Sequence, residues 1–175
     1  LGTVWRANQE DAPYAPDVAI KILDHARISA AGVARFEEER KNLGKLLHTG
    51  IARIISGGVT PQEAPYFVME YVDGKDLKSY LKSNSIALHT RLRLFESICR
   101  AIHFSHQQGV IHRDLKPANI LIQTVEGRPQ ARIIDFGISA RMESNEALPS
   151  QERFSGTLEY ASPQQFEPGS TANVS

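Results

Sequence analysis

The chain has 175 residues, of which 41% are hydrophobic, as is usual for a soluble globular domain. Basic and acidic residues number 20 each, so the net charge gives no reason to expect a nucleic-acid partner. No apolar run approaches the roughly 20 residues of a membrane span. The single cysteine, Cys99, excludes an internal disulfide and favours a reducing compartment.

The first 72 residues carry the pattern of a small β-rich unit with one helix. β-Branched apolar runs bounded by Gly and Pro predict strands, and apolar residues three, four and seven apart predict one face of a helix. The predicted elements are a strand at 17–23, a helix at 30–47 capped by Ser29, and strands at 51–55 and 66–72. Gly57-Gly58 and residues 61–65 are expected to connect the last two strands. The predicted buried stripe of the helix is Phe36, Glu39, Leu43, Leu46 and Leu47.

The pattern changes at Asp73-Gly74-Lys75, where we place the boundary between two lobes. The elements predicted beyond it are a helix at 88–108 ended by Gly109, short strands at 110–111, 120–122 and 131–134, and a turn at Gly127 and Pro129. The helix is expected to bury Leu92, Phe95, Ile98, Cys99 and Ile102. Residues 138–155 lack periodicity, and a loop of that length is typically functional or disordered.

Two short segments of the second part carry residues suited to chemistry. They are His112-Arg113-Asp114-Leu115-Lys116-Pro117-Ala118-Asn119 and, further along, Asp135-Phe136-Gly137. A carboxylate such as Asp114 can accept a proton from a hydroxyl group. The side-chain oxygens of Asn119 and Asp135 are of the kind that Mg²⁺ prefers. So many specified positions in the right order make chance a poor explanation.

Four further segments accompany these two. They are Leu1-Gly2-Thr3-Val4, Val18-Ala19-Ile20-Lys21, Met69-Glu70-Tyr71-Val72 and Gly156-Thr157-Leu158-Glu159-Tyr160-Ala161-Ser162-Pro163-Gln164-Gln165. Together, the six segments resemble the bacterial members of the eukaryotic-like (Hanks-type) serine/threonine protein kinases. The resemblance spans nearly all of the chain. It implies an α+β, two-lobed fold truncated at both ends, with a small β-rich lobe at 1–72 and a partial, mainly helical large lobe at 73–175.

The resemblance implies a set of catalytic roles. Asp114 would be the base that receives the proton of the attacking hydroxyl. Lys116, which stands where serine/threonine kinases have a lysine, would neutralise charge beside the transferred phosphate. Asn119 and Asp135 would hold Mg²⁺ against the phosphates of ATP. The implied activity is that of a non-specific serine/threonine protein kinase, which transfers phosphate from ATP to protein hydroxyls.

The resemblance also implies a nucleotide site. Lys21 would contact the α- and β-phosphates and pair with a glutamate of the helix. We choose Glu39 because it lies on the inward face, with Glu38 as the alternative. Gly2 would be the last glycine of the phosphate-covering loop, whose first two glycines are absent from this chain. The other implied contacts are Val4 on adenine, Met69 behind it, the backbone of Glu70 and Val72 at its edge, Asp76 at the ribose, and Ala19 and Leu121 elsewhere in the site.

Several other residues have packing or switching roles in such kinases. His112 and Phe136 are expected to stack with Leu43 and Ile54 rather than to react. Arg113 would meet a phosphate on the loop after Gly137, where the candidate phosphorylation sites are Ser144, Ser150 and Ser155, with Ser150 the first choice. Thr157 would hydrogen-bond the catalytic loop, and residues 160–163 would line the substrate groove. The histidines form no convincing zinc set in the sequence.

Two departures from the family pattern carry expectations of their own. Gln164 replaces a glutamate that pairs with an arginine of the large lobe, so the preceding loop is expected to be less firmly anchored. The sequence stops before the next helices of the large lobe, so residues 1–175 alone are expected to expose part of an unfinished core and to be poorly soluble or inactive. The kinase domain is expected in the cytoplasm, with any membrane anchor outside this stretch.

Two other classes of protein share parts of this pattern. A pseudokinase would act as a non-catalytic binding or scaffolding module, but here Lys21, Glu39, Asp114, Asn119 and Asp135 are all present. A small-molecule kinase of related fold is disfavoured by the segment 156–165, which is typical of a peptide groove. A P-loop ATPase is excluded because G-x-x-x-x-G-K-[ST] is absent. The expected partners are protein substrates, and a second copy of the chain for autophosphorylation.

Overall fold

The computed structural model describes residues 3–11, 14–23, 36, 38, 40–136 and 157–161. The strands are β1 (Thr3–Ala7), β2 (Val18–Ile22), β3 (Ile54–Val59), β4 (Pro65–Glu70), β5 (Lys75–Asp76), β6 (Ile120–Val125) and β7 (Arg128–Ile133). The helices are α1, helical at 36, 38 and 40–43, α2 (Leu77–Ser83) and α3 (Leu88–Gln107), with 3₁₀ turns at Pro117–Asn119 and Leu158–Tyr160. Within these stretches, no helix has both the length and the apolar character that crossing a bilayer requires.

Four strands form an antiparallel sheet in the order β1-β2-β4-β3. Its central strands, VAIKI and PYFVME, are rich in the β-branched and aromatic residues that fit a pleated surface. Because side chains alternate along a strand, Ala19 and Lys21 share one face with their β4 partners Met69 and Phe67. The ring of Phe36 in α1 lies 4.7 Å from that of Phe67. Helix α1 therefore packs on the face that carries Lys21.

The third predicted strand is displaced along the chain. β3 begins at Ile54 and runs through Gly57 and Gly58, which the sequence places in a connection. Ile51 instead forms a parallel bridge with Ile133 of β7. A Cβ at Gly57 would lie 2.8 Å from the carbonyl oxygen of Tyr66, so a glycine is needed for β3 to approach β4. The glycine that suggested a turn is thus required by close strand packing.

Helix α1 ends earlier than predicted. The chain turns at Gly44 and Lys45, so helical spacing no longer applies after Leu43. Leu43 and Leu46 are buried as expected, but Leu47 is 66% exposed, and the prediction that it lies on the buried stripe is wrong. Glu39 lies outside the described residues. Glu38, the alternative partner predicted for Lys21, is exposed.

The other three strands form an antiparallel sheet in the order β5-β6-β7, and α3 packs against β7. The helix buries residues at helical spacing, namely Leu94, Ile98, Ala101 and Ser105. The predicted stripe is wrong at Leu92 (58% exposed), at Phe95 (66%) and at Cys99, which is also exposed. Apolar residues occupy two faces of α3, and the sequence pattern alone does not tell which one packs.

The predicted strand at 110–111 is also wrong, because Val110 completes the end of α3. Gly109 has a left-handed φ of 73°, and the N–H of Val110 donates to the carbonyl of Ser105 at 2.9 Å. Further on, Glu126 and Gly127 have φ values of 49° and 74° and form the two-residue turn of the β6–β7 hairpin. Pro129, predicted in that turn, belongs to β7.

The segment between α1 and β3 joins the two sheets. The N–H of Ala52 donates to the carbonyl of Ile133 at 2.9 Å, and the N–H of Ile133 donates to the carbonyl of Gly50 at 2.8 Å. Gly50 lies so close to α3 that a Cβ there would be 3.0 Å from that of Ala101. These bonds fix the end of β7 beside the four-stranded sheet. The residues after β7 consequently face Lys21.

Candidate active site

A lysine–aspartate ion pair spans the gap between the two sheets. Lys21 of β2 is only 6% exposed, and its Nζ lies 2.9 Å from Oδ1 of Asp135. Asp135 follows β7 and has a left-handed φ of 59°, a conformation that costs energy for a non-glycine residue and that clusters at functional sites. The structure thus brings together the lysine and the second acidic residue singled out by the sequence.

The 3₁₀ turn Pro117–Asn119 holds Asn119 between the two acidic residues. Its buried side chain donates from Nδ2 to the carbonyl of Asp114 at 2.8 Å and to Oδ2 of Asp114 at 3.2 Å. Its own carbonyl accepts from the N–H of Ile134, directly before Asp135, at 3.0 Å. Asn119 therefore ties the loop of Asp114 to the segment of Asp135. Both side-chain bonds use the amide nitrogen, which leaves the oxygen as the atom suited to a cation.

His112 packs beneath this site as a neutral residue. Burial lowers the pKa of His112, against the hydrogen bond to the Ile134 carbonyl and the charges of Asp114 and Asp135. A neutral ring that donates from Nε2 to Ile134 (3.0 Å) can accept from the N–H of Asp114 at Nδ1 (3.3 Å). The ring lies 4.7 Å from that of Phe136. The predicted packing role of His112 and Phe136 is confirmed.

The predicted partners of Phe136 also lie beside it. Leu43 and Ile54 line a small cavity together with Phe136, Asp135 and Met69. Leu43 and Phe136 are both buried, and Ile54 packs against the same core. Met69 is 5% exposed, as expected of a residue that closes the inner end of a pocket. The apolar floor of the site is thus continuous from α1 to the residue after Asp135.

The carboxylate of Asp114 is surrounded by donors. Oδ2 lies 2.8 Å from Nζ of Lys116, and Oδ1 accepts from the N–H of Thr157 at 3.0 Å and from its hydroxyl at 3.1 Å. Nζ of Lys116 in turn donates to Oγ1 of Thr157 at 2.8 Å. The predicted hydrogen bond between Thr157 and the loop of Asp114 is confirmed. Burial alone would raise the pKa of Asp114, but the Lys116 bond and charge, with the bonds from Thr157 and Asn119, lower it.

Because Lys116 lowers the pKa of Asp114, we expect Lys116→Ala to move the acidic limb of the pH–rate profile to higher pH. A base works only when deprotonated, so the rate falls as the pH drops through its pKa. Measuring kcat for peptide phosphorylation against pH in the full-length protein tests this. Lys116→Arg retains the positive charge and should keep the limb near its original position. An acidic limb at the same pH in all three proteins would contradict the expectation.

The residues assigned to adenine lie in the four-stranded sheet or just after it. Val4 of β1 stands opposite Lys21 and is 54% exposed, and Ala19 stands between Arg6 and Met69 in the register of the sheet. Val72 is buried. The N–H of Glu70 already donates to the carbonyl of Arg53 at 2.9 Å, so a bond from Glu70 to adenine would have to use its carbonyl oxygen.

Asp76 and Leu121 are paired with each other across β5 and β6. Oδ1 of Asp76 caps α2 by accepting from the N–H of Ser79 at 2.9 Å, and hydrogen bonding from the Ser79 side chain together with this backbone bond lowers the pKa of Asp76. The capping role was not anticipated from the sequence, although an aspartate directly before the first apolar residue of a helix, here Leu77, is a usual cap signal. Its contact with a ribose stays a prediction. Gly2 lies outside the described residues.

Two arginines that make contacts near the site were not identified from the sequence. Arg6 of β1 pairs with Asp17 at 2.5 Å and lies 4.5 Å from the ring centroid of Tyr71, in the segment between the lobes. Arg132 of β7 pairs with the carboxylate of Glu70 and donates to the carbonyl of Ile51 at 3.2 Å. One feature of the sequence could have identified Arg132. It is the one charged residue in the apolar run 131–134, three positions before Asp135.

The donor set fits a magnesium-bound nucleotide. Mg²⁺ takes oxygen ligands and keeps several waters, so the carboxylate of Asp135 and the side-chain oxygen of Asn119 suffice with phosphate oxygens. Lys21 is a buried cation beside them, suited to phosphate. Among the described residues there is no cluster of three or more His, Cys, Asp or Glu that would suit a metal held by the protein alone.

Comparison with known proteins gives one consistent result. The model of the "Protein kinase domain" family matches residues 1–173. The chain is 37% identical over 177 residues to the serine/threonine-protein kinase PkaA of Streptomyces coelicolor, covering 95% of this chain and 32% of that protein. It is 35% identical over 155 residues to PknB of Mycobacterium leprae, covering 85% and 24%. The chain therefore spans less than a third of the length of these curated relatives.

Solved structures agree in fold. The crystal structure of the Mycobacterium tuberculosis PknI kinase domain superposes with a TM-score of 0.64 at 26% identity, covering 78% of this chain and 55% of that one. A double mutant of the same domain has a TM-score of 0.64 at 25% identity over 86% of this chain and 60% of that one. The two-lobed arrangement expected from the sequence is the arrangement of these structures.

Proposed function

The chain belongs to the protein kinase domain family, and from that premise we propose that it transfers phosphate from Mg-ATP to serine and threonine hydroxyls of protein substrates. The observation that carries the proposal is a connected set of contacts: Lys21 pairs with Asp135, the N–H of the preceding Ile134 donates to the carbonyl of Asn119, and the Asn119 side chain donates to Asp114. Three short segments far apart in the sequence meet there, and each brings at least one side chain that this reaction uses.

Each of these residues has a distinct task. Asp114 orients the hydroxyl of the substrate and takes its proton, for which its lowered pKa keeps it ionised at neutral pH. Lys116 and Thr157 hold the two oxygens of that carboxylate in place. Asn119 and Asp135 would hold the metal, and Lys21 would hold phosphate oxygens. When bound, Mg-ATP supplies the phosphoryl group and the charge that polarises it.

The choice of serine and threonine over tyrosine rests on Lys116, which stands where serine/threonine kinases have a lysine. Its Nζ lies 2.8 Å from Oδ2 of Asp114 and donates to Oγ1 of Thr157 at 2.8 Å. In the segment predicted to line the substrate groove, residues 160–163, Tyr160 is 48% exposed and available to a peptide.

We place the boundary of the two lobes between residues 72 and 73, after the sheet that contains β4 and before the short strand β5.

The test uses the purified full-length protein, radiolabelled ATP and three peptide pools in which serine, threonine or tyrosine is the sole acceptor. We expect Mg²⁺-dependent labelling of the serine and threonine pools and little of the tyrosine pool. Labelling restricted to tyrosine would overturn the proposed acceptor. Nucleotide binding without label on any peptide or on the protein itself would favour the pseudokinase alternative, and label on small metabolites alone would favour a small-molecule kinase.

A further inference from the structure

Arg132 and Glu70 form an ion pair between the two sheets at a point away from the predicted phosphate and metal residues. Glu70 ends β4, and Arg132 lies near the end of β7. The same guanidinium donates to the carbonyl of Ile51 at 3.2 Å. Arg53 completes the contact, because its N–H donates to Oε2 of Glu70 at 3.3 Å and its carbonyl accepts from the N–H of Glu70 at 2.9 Å. Three chain segments therefore converge on one pair of charges.

The two partners differ in their access to water. The side chain of Arg132 is 12% exposed, and its Nε is buried without a hydrogen-bond partner in the part of the chain that the structure describes. The side chain of Glu70 is 38% exposed. A carboxylate with that exposure can be hydrated when its partner is removed, whereas the buried guanidinium cannot. Loss of Glu70 should consequently cost more stability than loss of Arg132.

The position of the pair links it to the nucleotide site. Arg132 lies three residues before Asp135 on the same extended run, and Glu70 directly follows Met69 at the inner end of the gap. Lys21 and Asp135 form another ion pair across the gap between the two sheets. Those two residues are the ones assigned to phosphate and metal, so their contact must change when a nucleotide binds. The Arg132–Glu70 pair involves neither of them and can persist.

We propose that Arg132, through Glu70 and Ile51, is a positioning residue that sets the width of the nucleotide cleft. With the pair in place, Asp135 and the end of β4 assigned to adenine are held at a fixed separation. The protein therefore loses little conformational freedom when the nucleotide binds. Without it, β7 and β4 stay joined through the backbone bonds of residues 50–53 and the shared apolar core, but the cleft loses the contact that presets its separation. The inference rests on the proposed function, since it concerns the affinity of that same site.

The test compares Glu70→Gln, Arg132→Met and the double variant in the full-length protein. Affinity for a non-hydrolysable ATP analogue with Mg²⁺ is measured by calorimetry, and the melting temperature is measured in parallel. Glu70→Gln should lower the melting temperature most, because it leaves the buried guanidinium without a counter-charge. The double variant should recover much of that stability. All three should bind the analogue about tenfold more weakly, a change that corresponds to about 1.4 kcal/mol.

The role of the pair is decided by whether the double variant recovers its melting temperature and its nucleotide affinity together. A double variant that regains stability but not affinity supports a positioning role, whereas one that regains both reduces the pair to ordinary packing and overturns the inference. The matched control is Glu96→Gln with Arg100→Met, an exposed pair on α3 that should change neither quantity. If the unaltered protein fails to bind the analogue, the proposed function itself fails. If it binds and all three variants bind equally well, only the role of Arg132 is refuted.

Discussion

Asp114→Asn should reduce peptide phosphorylation by the full-length protein by about a hundredfold or more, the scale expected for loss of a positioned base. An amide cannot accept the hydroxyl proton. It also cannot satisfy all the donors around position 114, because Oδ1 and Oδ2 of Asp114 accept from Thr157, Lys116 and Asn119. One of these contacts becomes donor against donor after the substitution. The loop therefore loses a hydrogen bond as well as its base.

The loss should appear in kcat rather than in nucleotide affinity. Asp114 is not itself among the residues assigned to ATP or Mg²⁺, so binding of a non-hydrolysable analogue should change little. The measurement is kcat and the dissociation constant of the analogue on the same preparation. Glu96→Gln, an acid-to-amide change on the exposed side of α3, is the matched control and should leave both intact. Undiminished transfer by the Asp114 variant would remove Asp114 from its role.

The parts of the site that the sequence predicted well are those fixed by local chemistry. Lys21, Asp114, Asn119 and Asp135 each stand in a segment whose residue order is itself restrictive. The strand around Lys21 follows from its β-branched run, and the 3₁₀ turn that ends at Asn119 begins at a proline, which suits a first helical position. In such segments a few neighbours determine both the backbone shape and the direction of the functional side chain.

The parts that were predicted poorly depend on which surfaces meet. Helix α3 has apolar residues on two faces, and only the packing of β7 selects the face of Leu94 and Ile98 over that of Leu92 and Phe95. Gly57 signals a turn in isolation, yet the proximity of the Tyr66 carbonyl makes it a strand residue. Both errors come from contacts between residues distant in the chain, which periodicity within one segment does not encode.

The proposed role of Arg132 could not be predicted from the sequence for the same reason. A lone arginine in an apolar strand is compatible with a solvated edge, and nothing near it in the sequence identifies Glu70 as its partner. Once β4 and β7 are in place, the arginine is mostly buried and contacts two separate segments. Residues that act on substrate were therefore recognisable from motifs, whereas a residue that positions those motifs became visible only in three dimensions.

Asp135→Asn should raise the Mg²⁺ concentration needed for nucleotide binding by about tenfold or more, because a neutral amide replaces the carboxylate ligand that a hard cation prefers. Lys21→Met should instead weaken nucleotide binding at every Mg²⁺ concentration, since it removes a phosphate contact and leaves the metal ligands in place. Titrating Mg²⁺ at fixed concentrations of a fluorescent ATP analogue in the full-length protein separates the two effects. Equal Mg²⁺ requirements in the unaltered protein and the Asp135 variant would contradict the assignment of Asp135.

The same pair of variants tests the ion pair in the absence of nucleotide. Nζ of Lys21 belongs to a side chain that is 8% exposed, and its contact with Asp135 compensates the buried charge. Asp135→Asn removes that compensation and should lower the free energy of unfolding by up to about 3 kcal/mol. Lys21→Met leaves a carboxylate that is 24% exposed and can be hydrated, so it should cost less. Denaturant unfolding measures the difference, with Glu126→Gln in the exposed hairpin turn as the control. A larger loss in the Lys21 variant would mean that the aspartate, not the lysine, depends on the pair for its burial.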